Sequence, residues 1–136
     1  GYDGKNGYAM NYVVNKLQIQ KDYVAESFDT DFIDFESKGF SAQVLGKEKV
    51  GDKDCFKVEL TKNVNKTVYY FDVQNYFLIK EVKKDETLIF SDFKKVNGLV
   101  MPFRIEANTP KKEGDYVMIL NRIDTNKAFP ENTFKF

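Results

Sequence analysis

Turn-forming residues recur along this chain at steps of about 10–15 residues, and this spacing restricts the possible folds more than any other feature. The strongest signal is Asn97-Gly98, because a two-residue type I′ hairpin needs a positive φ at both central positions. The other turn signals lie at 50–53, 62–65, 73–75, 83–85 and 110–114. The segments between them are rich in Val, Ile, Phe and Tyr, which favour pleated strands. The sequence therefore predicts successive antiparallel strands joined by hairpins.

The strands follow from the positions of these turns. We expect them at 41–49, 54–62, 66–73, 77–83, 86–94, 99–107 and 115–124, with a further strand at 7–14. Short connections pair each strand with its neighbour in the sequence, which gives a meander. Phe56, Val58 and Leu60 alternate with polar residues, a pattern that is typical of a strand buried on one face.

Residues 17–38 show a different period. Apolar residues recur there at steps of three and four, at Val24, Phe28, Phe32 and Phe35, and Gly39 follows as a C′ cap. This pattern predicts a helix over 17–38, broken near 29–31, where Asp31 can cap a second short segment. With the strands, it predicts an α+β fold in which one helix packs on one face of an antiparallel sheet.

The charged and chemically reactive residues exclude several classes of protein. Lys and Arg number 21 and Asp and Glu number 21, so the formal net charge is zero and the cation surplus of nucleic-acid or polybasic membrane binders is absent. Histidine is absent and Cys55 is the single cysteine, which excludes His-dependent catalytic triads, histidine-ligated metals and internal disulfides. No apolar run reaches the ~18 residues of a membrane-spanning helix. We therefore expect a non-enzymatic protein without cofactor, metal or membrane span.

Individual polar residues have both a functional and a structural interpretation. Asp72 and Asp92 lie in aromatic strands and are either an acid–base pair or partners of nearby lysines. Cys55 is either a reactive thiol or a small buried apolar residue. The carboxylates at 29–34 are either a calcium site or a solvated helix face, and that segment lacks the glycine turn of a calcium loop. Residues 65–67 match the N-glycosylation pattern. The structural interpretation is favoured for each.

The aromatic residues give the clearest indication of function. Phe (13) and Tyr (8) make up 15% of the chain, and segments 68–71, 77–79 and 117–120 are apolar on both strand faces. One helix of about 20 residues cannot cover both faces of such a sheet. The excess apolar surface must meet a ligand, a partner chain, another part of the sheet or a further segment. Two interpretations of the aromatic set stay open, a plain core or the walls of an apolar pocket.

Two stretches resemble the outer-membrane lipoprotein-sorting family, whose members are LolA-like and LolB-like periplasmic carriers. The first is Phe90–Ile105, in which an aromatic-x-Asp-aromatic strand, the Val-Asn-Gly hairpin and an apolar-x-x-Pro-Phe strand follow one another. The second is Ile123–Pro130, which leads to Phe134 and Phe136. The upstream pieces that fit in order are Leu45–Glu48, Cys55–Val58, Tyr69–Asp72 and Tyr76–Lys80. The resemblance covers roughly residues 40–136, and its relatives are typically longer.

The resemblance implies a strongly curved open half-barrel whose cavity, beneath helices, holds acyl chains. We therefore expect a single domain over 1–136, matching the C-terminal part or a shortened form of such a carrier, in a periplasmic or outer-membrane-associated location. Its predicted function is to bind a lipid or lipoprotein acyl chain. The pocket predicted for that chain consists of Phe28 and Phe32 as a lid over Phe71, Phe77, Ile79, Phe90, Phe103 and Met118. The alternative is a structural, assembly or accessory domain that uses its apolar sheet face or edge for protein–protein contact, for example in a homodimer.

Overall fold

The computed structural model describes residues 1–2, 5–20, 29–110, 114–131 and 133. The chain divides into two compact units, 1–30 with 126–136, and 31–125. The first unit contains an antiparallel hairpin of β1 (Gly7–Asn11) and β2 (Lys16–Gln20). The Asn11 side-chain oxygen accepts a hydrogen bond from the backbone N–H of Val13 at 3.0 Å, and this local bond starts the turn between the two strands.

The second unit is one antiparallel sheet. Its strands are β3 (Ser41–Val50), β4 (Lys53–Lys62), β5 (Asn65–Asp72), β6 (Leu78–Val82), β7 (Thr87–Val96), β8 (Leu99–Asn108) and β9 (Tyr116–Ile119). Their spatial order is their order in the sequence, so the sheet is a meander, as predicted. It is open and curved, with β3 at one edge and β9 at the other.

The strongest turn signal has the predicted geometry. Asn97 and Gly98 have φ values of 47° and 86°, and Val96 pairs with Leu99 across them, so a two-residue hairpin joins β7 and β8. The final strand is shorter than the predicted 115–124. It ends at Ile119, although the Leu120 N–H still donates to the Phe103 carbonyl at 2.8 Å.

The predicted helix over 17–38 is wrong, and with it the α+β class: the described residues form an all-β fold without a helix packed on the sheet. The beginning of that range belongs to β2, in which Leu17 and Ile19 alternate with Gln18 and Gln20. Residues 21–28, with the predicted helix positions Val24 and Phe28, lie outside the described residues. Residues 31–39 form a series of turns.

Local hydrogen bonds explain why 31–39 does not continue as a helix. Asp34 has a φ of 52°, which is incompatible with a right-handed helix. The Ser37 hydroxyl donates to the Asp34 carboxylate at 2.6 Å, and such side-chain bonds compete with helical ones. Gly39, at φ 82°, does form a Schellman-type end, because its N–H donates to the Glu36 carbonyl and the Phe40 N–H to the Phe35 carbonyl, both at 2.9 Å. That cap therefore closes turns rather than a helix.

One face of the sheet, which we call the Cys55 face, carries a compact apolar core. Its buried members are Cys55, Tyr70 and Ile79, and the partly buried side chains packed against them are Val50, Val68, Phe77, Val82 and Phe93. Cys55 has no exposed surface, and it lies opposite the face of Phe56 and Leu60, because neighbouring residues of a strand point to opposite sides. The preferred interpretation of Cys55 as a buried structural residue is confirmed.

Candidate functional site: the apolar face opposite Cys55

The opposite face, which we call the Leu60 face, is apolar over most of its width. The strand register assigns its members, because directly paired residues of antiparallel strands share a face. Phe56 pairs with Phe71, Val58 pairs with Tyr69, and further along the sheet Phe90 pairs with Ile105. Strands β4, β5, β7, β8 and β9 contribute Phe56, Val58, Leu60, Tyr69, Phe71, Leu88, Phe90, Phe103, Ile105, Tyr116 and Met118 to this face. Such a surface can bind a large apolar group.

Phe32 packs on the middle of the Leu60 face. Its ring lies edge-on to Tyr69 and to Phe71, with 5.3 Å between ring centroids in both cases and interplanar angles of 75° and 86°. This is the preferred aromatic geometry, since the positive edge of one ring meets the negative face of another. The turn segment that holds Phe32 therefore covers the part of the face where a helix was expected. The other predicted lid residue, Phe28, lies outside the described residues.

The structure divides the predicted pocket residues between the two faces. Four of them, Phe71, Phe90, Phe103 and Met118, share the Leu60 face with Phe32. Phe77 and Ile79 instead pack in the core of the Cys55 face, where the Phe77 ring lies 5.1 Å from that of Phe93. The cause is a register shift between β5 and β6: Tyr70 pairs with Lys80 and Phe71 with Leu78, which leaves Ile79 as an extra residue. Without the shift, Phe71 would pair with Ile79, and Ile79 would lie on the Leu60 face. With the shift, Leu78 lies on that face instead.

Sequence reasoning omitted several members of the Leu60 face. Tyr69 and Leu60 are 2% and 1% exposed and form its buried centre. The alternation of Phe56, Val58 and Leu60 in β4 was the available signal, because these side chains mark the face on which the neighbouring strands place Tyr69 and Phe71. Combining that strand pattern with hairpin register would have found them.

Burial along the Leu60 face is uneven. Phe103 is 6% exposed, whereas Tyr116 and Met118 on β9 are 48% and 46% exposed. At the opposite end of the same face, Val44 on β3 pairs with Val58 and is 67% exposed. The apolar surface is thus covered at its centre and accessible towards both edges of the sheet.

Lysines border this face and lie over its aromatic rings. The Lys94 Nζ is 4.7 Å from the centroid of the Phe103 ring, and the Lys47 Nζ is 5.0 Å from that of Phe56. Burial raises the pKa of the Tyr69 hydroxyl far above its ordinary value, and the nearby carboxylates of Glu81 and Asp31 raise it further. Tyr69 therefore stays uncharged even well above physiological pH.

The polar residues considered as catalytic or metal-binding form separate structural pairs. The Asp72 carboxylate accepts hydrogen bonds from the Lys53 ammonium at 3.0 Å and from the Gln74 backbone N–H at 2.8 Å. Asp92 forms an ion pair with Lys94 at 2.8 Å. The backbone hydrogen bond and the Lys53 ammonium hold the Asp72 pKa below its usual value. The structure does not bring the two aspartates together. Among the described residues, no group of three acidic, cysteine or histidine side chains has a metal-binding arrangement.

Open clefts lie outside the centre of the Leu60 face. One of about 240 Å³ is lined by residues of β7, β8 and β9, including Ile89, Glu106 and Tyr116. Another of about 430 Å³ lies between the β4–β5 and β6–β7 connections and is lined by Val64, Lys66 and Lys83. Neither contains the predicted pocket residues, so the candidate site is the surface of the Leu60 face itself.

Comparison with known proteins shows similarity at the level of structure. No family model and no curated protein sequence matches this chain. A domain from Vibrio parahaemolyticus, classed with outer membrane lipoprotein-sorting proteins, superposes with a TM-score of 0.65 at 15% identity, covering 96% of this chain and 63% of that one. A DUF1329 family protein from Desulfovibrio piger gives 0.60 at 16% identity, with coverage of 90% and 60%. A LolA superfamily protein from Nitrosomonas europaea gives 0.51 at 15% identity, with coverage of 89% and 64%.

The chain spans less than two thirds of the length of each of these structures. No helix among the described residues is long and apolar enough to cross a membrane. The resemblance noted in the hairpin block at 90–105 is confirmed at the level of the fold, since a lipoprotein-sorting domain and a LolA superfamily protein superpose on almost the whole chain. The chain therefore shares the curved antiparallel-sheet fold of these structures, a lipoprotein-sorting domain and a LolA superfamily protein among them.

Proposed function

We propose that the protein binds the acyl chain of a lipid or lipoprotein on its Leu60 face, without catalysing a reaction. The observation that carries this proposal is the apolar surface that five strands place on one side of the sheet, from Phe56 on β4 to Met118 on β9, which Glu81 on β6 interrupts between Tyr69 and Leu88. Superposition on a lipoprotein-sorting domain and on a LolA superfamily protein supports it. A periplasmic or outer-membrane-associated location belongs to the same proposal.

Binding would rest on removal of apolar area from water, which stabilises by about 25 cal/mol per Å². The ligand would enter from the β9 side, where Tyr116 and Met118 are half-exposed, and extend towards Phe90. Phe32 would then act as a movable side chain, because its two edge-on ring contacts join a turn segment to the sheet and can separate without breaking strand pairing. The lysines at the margin, such as Lys94 over Phe103, would face the polar end of the ligand.

A dye-displacement assay tests the proposal. A fluorescent apolar dye should bind the protein, and a long-chain fatty acid should displace it with micromolar affinity, roughly −8 kcal/mol. Phe90→Asp places a charge on the half-buried part of the Leu60 face and should abolish displacement. Phe103 is nearly fully buried, so its replacement by Asp is the poorer choice, because it threatens the fold itself.

The matched control is Val64→Asp, a change of similar chemistry at a hairpin tip that is 91% exposed. It should leave displacement unchanged. Added salt should have little effect on the affinity, because apolar area rather than charge holds the tail. Equal binding by both variants, or no dye binding by the folded wild-type protein, would overturn the proposal and favour protein–protein contact through the same face.

A further inference from the structure

The two edges of the main sheet differ in how they resist pairing with another strand. Strand β3 contains a register shift at Gly46, whose φ is 117°, followed by Lys47, Glu48 and Lys49. Bulges and charged side chains are the usual means by which natural proteins block an edge. Strand β9 has the sequence Tyr-Val-Met-Ile, without a charge, a proline or a bulge. The β3 edge is therefore protected against pairing with a further strand, and the β9 edge is not.

Strand β9 is also accessible along its length. The exposed fractions of its four side chains lie between 46% for Met118 and 62% for Ile119. In the described part of the chain, β8 is its only strand neighbour. Four consecutive exposed apolar residues, at an edge to which no second described strand is paired, are a recognised source of association between chains.

The hydrogen bonds to β8 determine which backbone groups β9 offers. Leu120 donates its N–H to Phe103 on β8. In an antiparallel ladder, alternate residues point their N–H and C=O groups to the same side, so Met118 also faces β8. Val117 and Ile119 then direct their backbone groups outward, away from the sheet.

We propose that two copies of this chain pair antiparallel through β9. When the outward backbone groups of Val117 in one copy meet those of Ile119 in the other, Met118 lies opposite Met118 of the partner copy, on the two-fold axis. Tyr116 then lies opposite Leu120. Every cross-strand pair in this register is apolar on both faces of the joined sheet, so the edge is complementary to itself.

A second copy fits this edge better than a charged or larger partner does. The chain has no net charge, so two copies do not repel each other at long range. The blocked β3 edge prevents a head-to-tail contact from β9 to β3, so association closes at two copies instead of forming a filament. A four-residue strand buries less than the roughly 800 Å² per partner of a stable dimer, and we therefore expect a weak, concentration-dependent one.

Analytical ultracentrifugation of the whole chain from about 1 μM to about 1 mM tests this proposal. The average mass should rise from 15.8 kDa towards twice that value and stop there. Val117→Lys puts a charge on the free edge and should shift the dissociation constant at least tenfold to weaker binding. The control Val44→Lys makes the same change on β3, where the side chain is 67% exposed, and should leave the constant unchanged.

Cross-linking tests the register independently. Met118→Cys brings two thiols together across the two-fold axis, in a non-hydrogen-bonded pair whose Cα atoms are about 4.5 Å apart and within disulfide range. Mild oxidation should yield a covalent dimer, whereas Val44→Cys should not, and buried Cys55 should not interfere. A wild-type chain that stays monomeric throughout, polymers larger than two, or equal cross-linking of both variants would each overturn the proposal.

Discussion

Replacement of Phe32 by alanine tests whether the turn segment at 31–39 is a packed part of the fold. The Phe32 ring makes two edge-on contacts with the sheet, to Tyr69 and to Phe71, each with 5.3 Å between centroids. These contacts are the described link between a segment without regular structure and the centre of the Leu60 face. Alanine at this position removes both ring contacts. It also exposes Tyr69, which is 2% exposed in the wild-type protein, to water.

The cost follows from two contributions. Each edge-on ring pair adds about 0.5–1.5 kcal/mol beyond area burial. Full burial of a phenylalanine side chain contributes up to about 3 kcal/mol, and Phe32 is partly buried, so roughly half of that is lost. Phe32→Ala should therefore lower the free energy of unfolding by about 2.5–4.5 kcal/mol. With a urea slope near 2 kcal/mol per molar, the midpoint should fall by about 1–2 M.

Urea unfolding followed by circular dichroism and tyrosine fluorescence measures this change. The control is Ile33→Ala, one residue further along and 53% exposed, which should cost less than about 1 kcal/mol because little area is buried there. If the two variants have the same midpoint, Phe32 does not stabilise the fold through its rings. The packing argument for the segment would then be wrong.

Three further experiments, two substitutions and one labelling of a thiol, test other parts of the molecule. Gly98→Val should cost about 1–3 kcal/mol in urea unfolding. The cause is backbone strain at φ 86°, since an added Cβ meets open space; an unchanged midpoint would argue against the hairpin geometry. Cys55 should react slowly with a thiol reagent in native protein and rapidly in urea, because burial removes access and raises its thiol pKa; fast native labelling would place it on an open surface. Because the pKa of Asp72 is lower in the folded state than its ordinary value of 3.8, the ionised carboxylate stabilises the folded protein at pH values above 3.8. This stabilisation is lost as the pH falls through the folded-state pKa. Asp72→Asn should therefore be less stable than the wild type at neutral pH, and the difference should shrink in acid; a constant difference would show that the charge is not responsible.

Local chemistry in the sequence was enough to predict most of the sheet. Turn residues need particular φ values, so Asn97-Gly98 predicted a two-residue hairpin and its register without knowledge of the rest of the fold. Strand segments between such turns pair with their neighbours, and the order from β3 to β9 follows. Four residues of the predicted pocket, such as Phe71 and Phe90, share one face because register carries the alternation of β4 across the sheet.

The tertiary structure decided the features that depend on competition between local and distant contacts. Apolar steps of three and four residues predicted a helix, yet Leu17 and Ile19 pair in a strand and Asp34 takes a left-handed conformation that ends any helical path. The register shift at Ile79 moved that residue and Phe77 to the Cys55 face, and nothing in their sequence marks the extra residue. Alternation has a period of two, so a single insertion between paired strands exchanges the faces, and only the packing of a whole strand against its neighbours determines where that insertion lies.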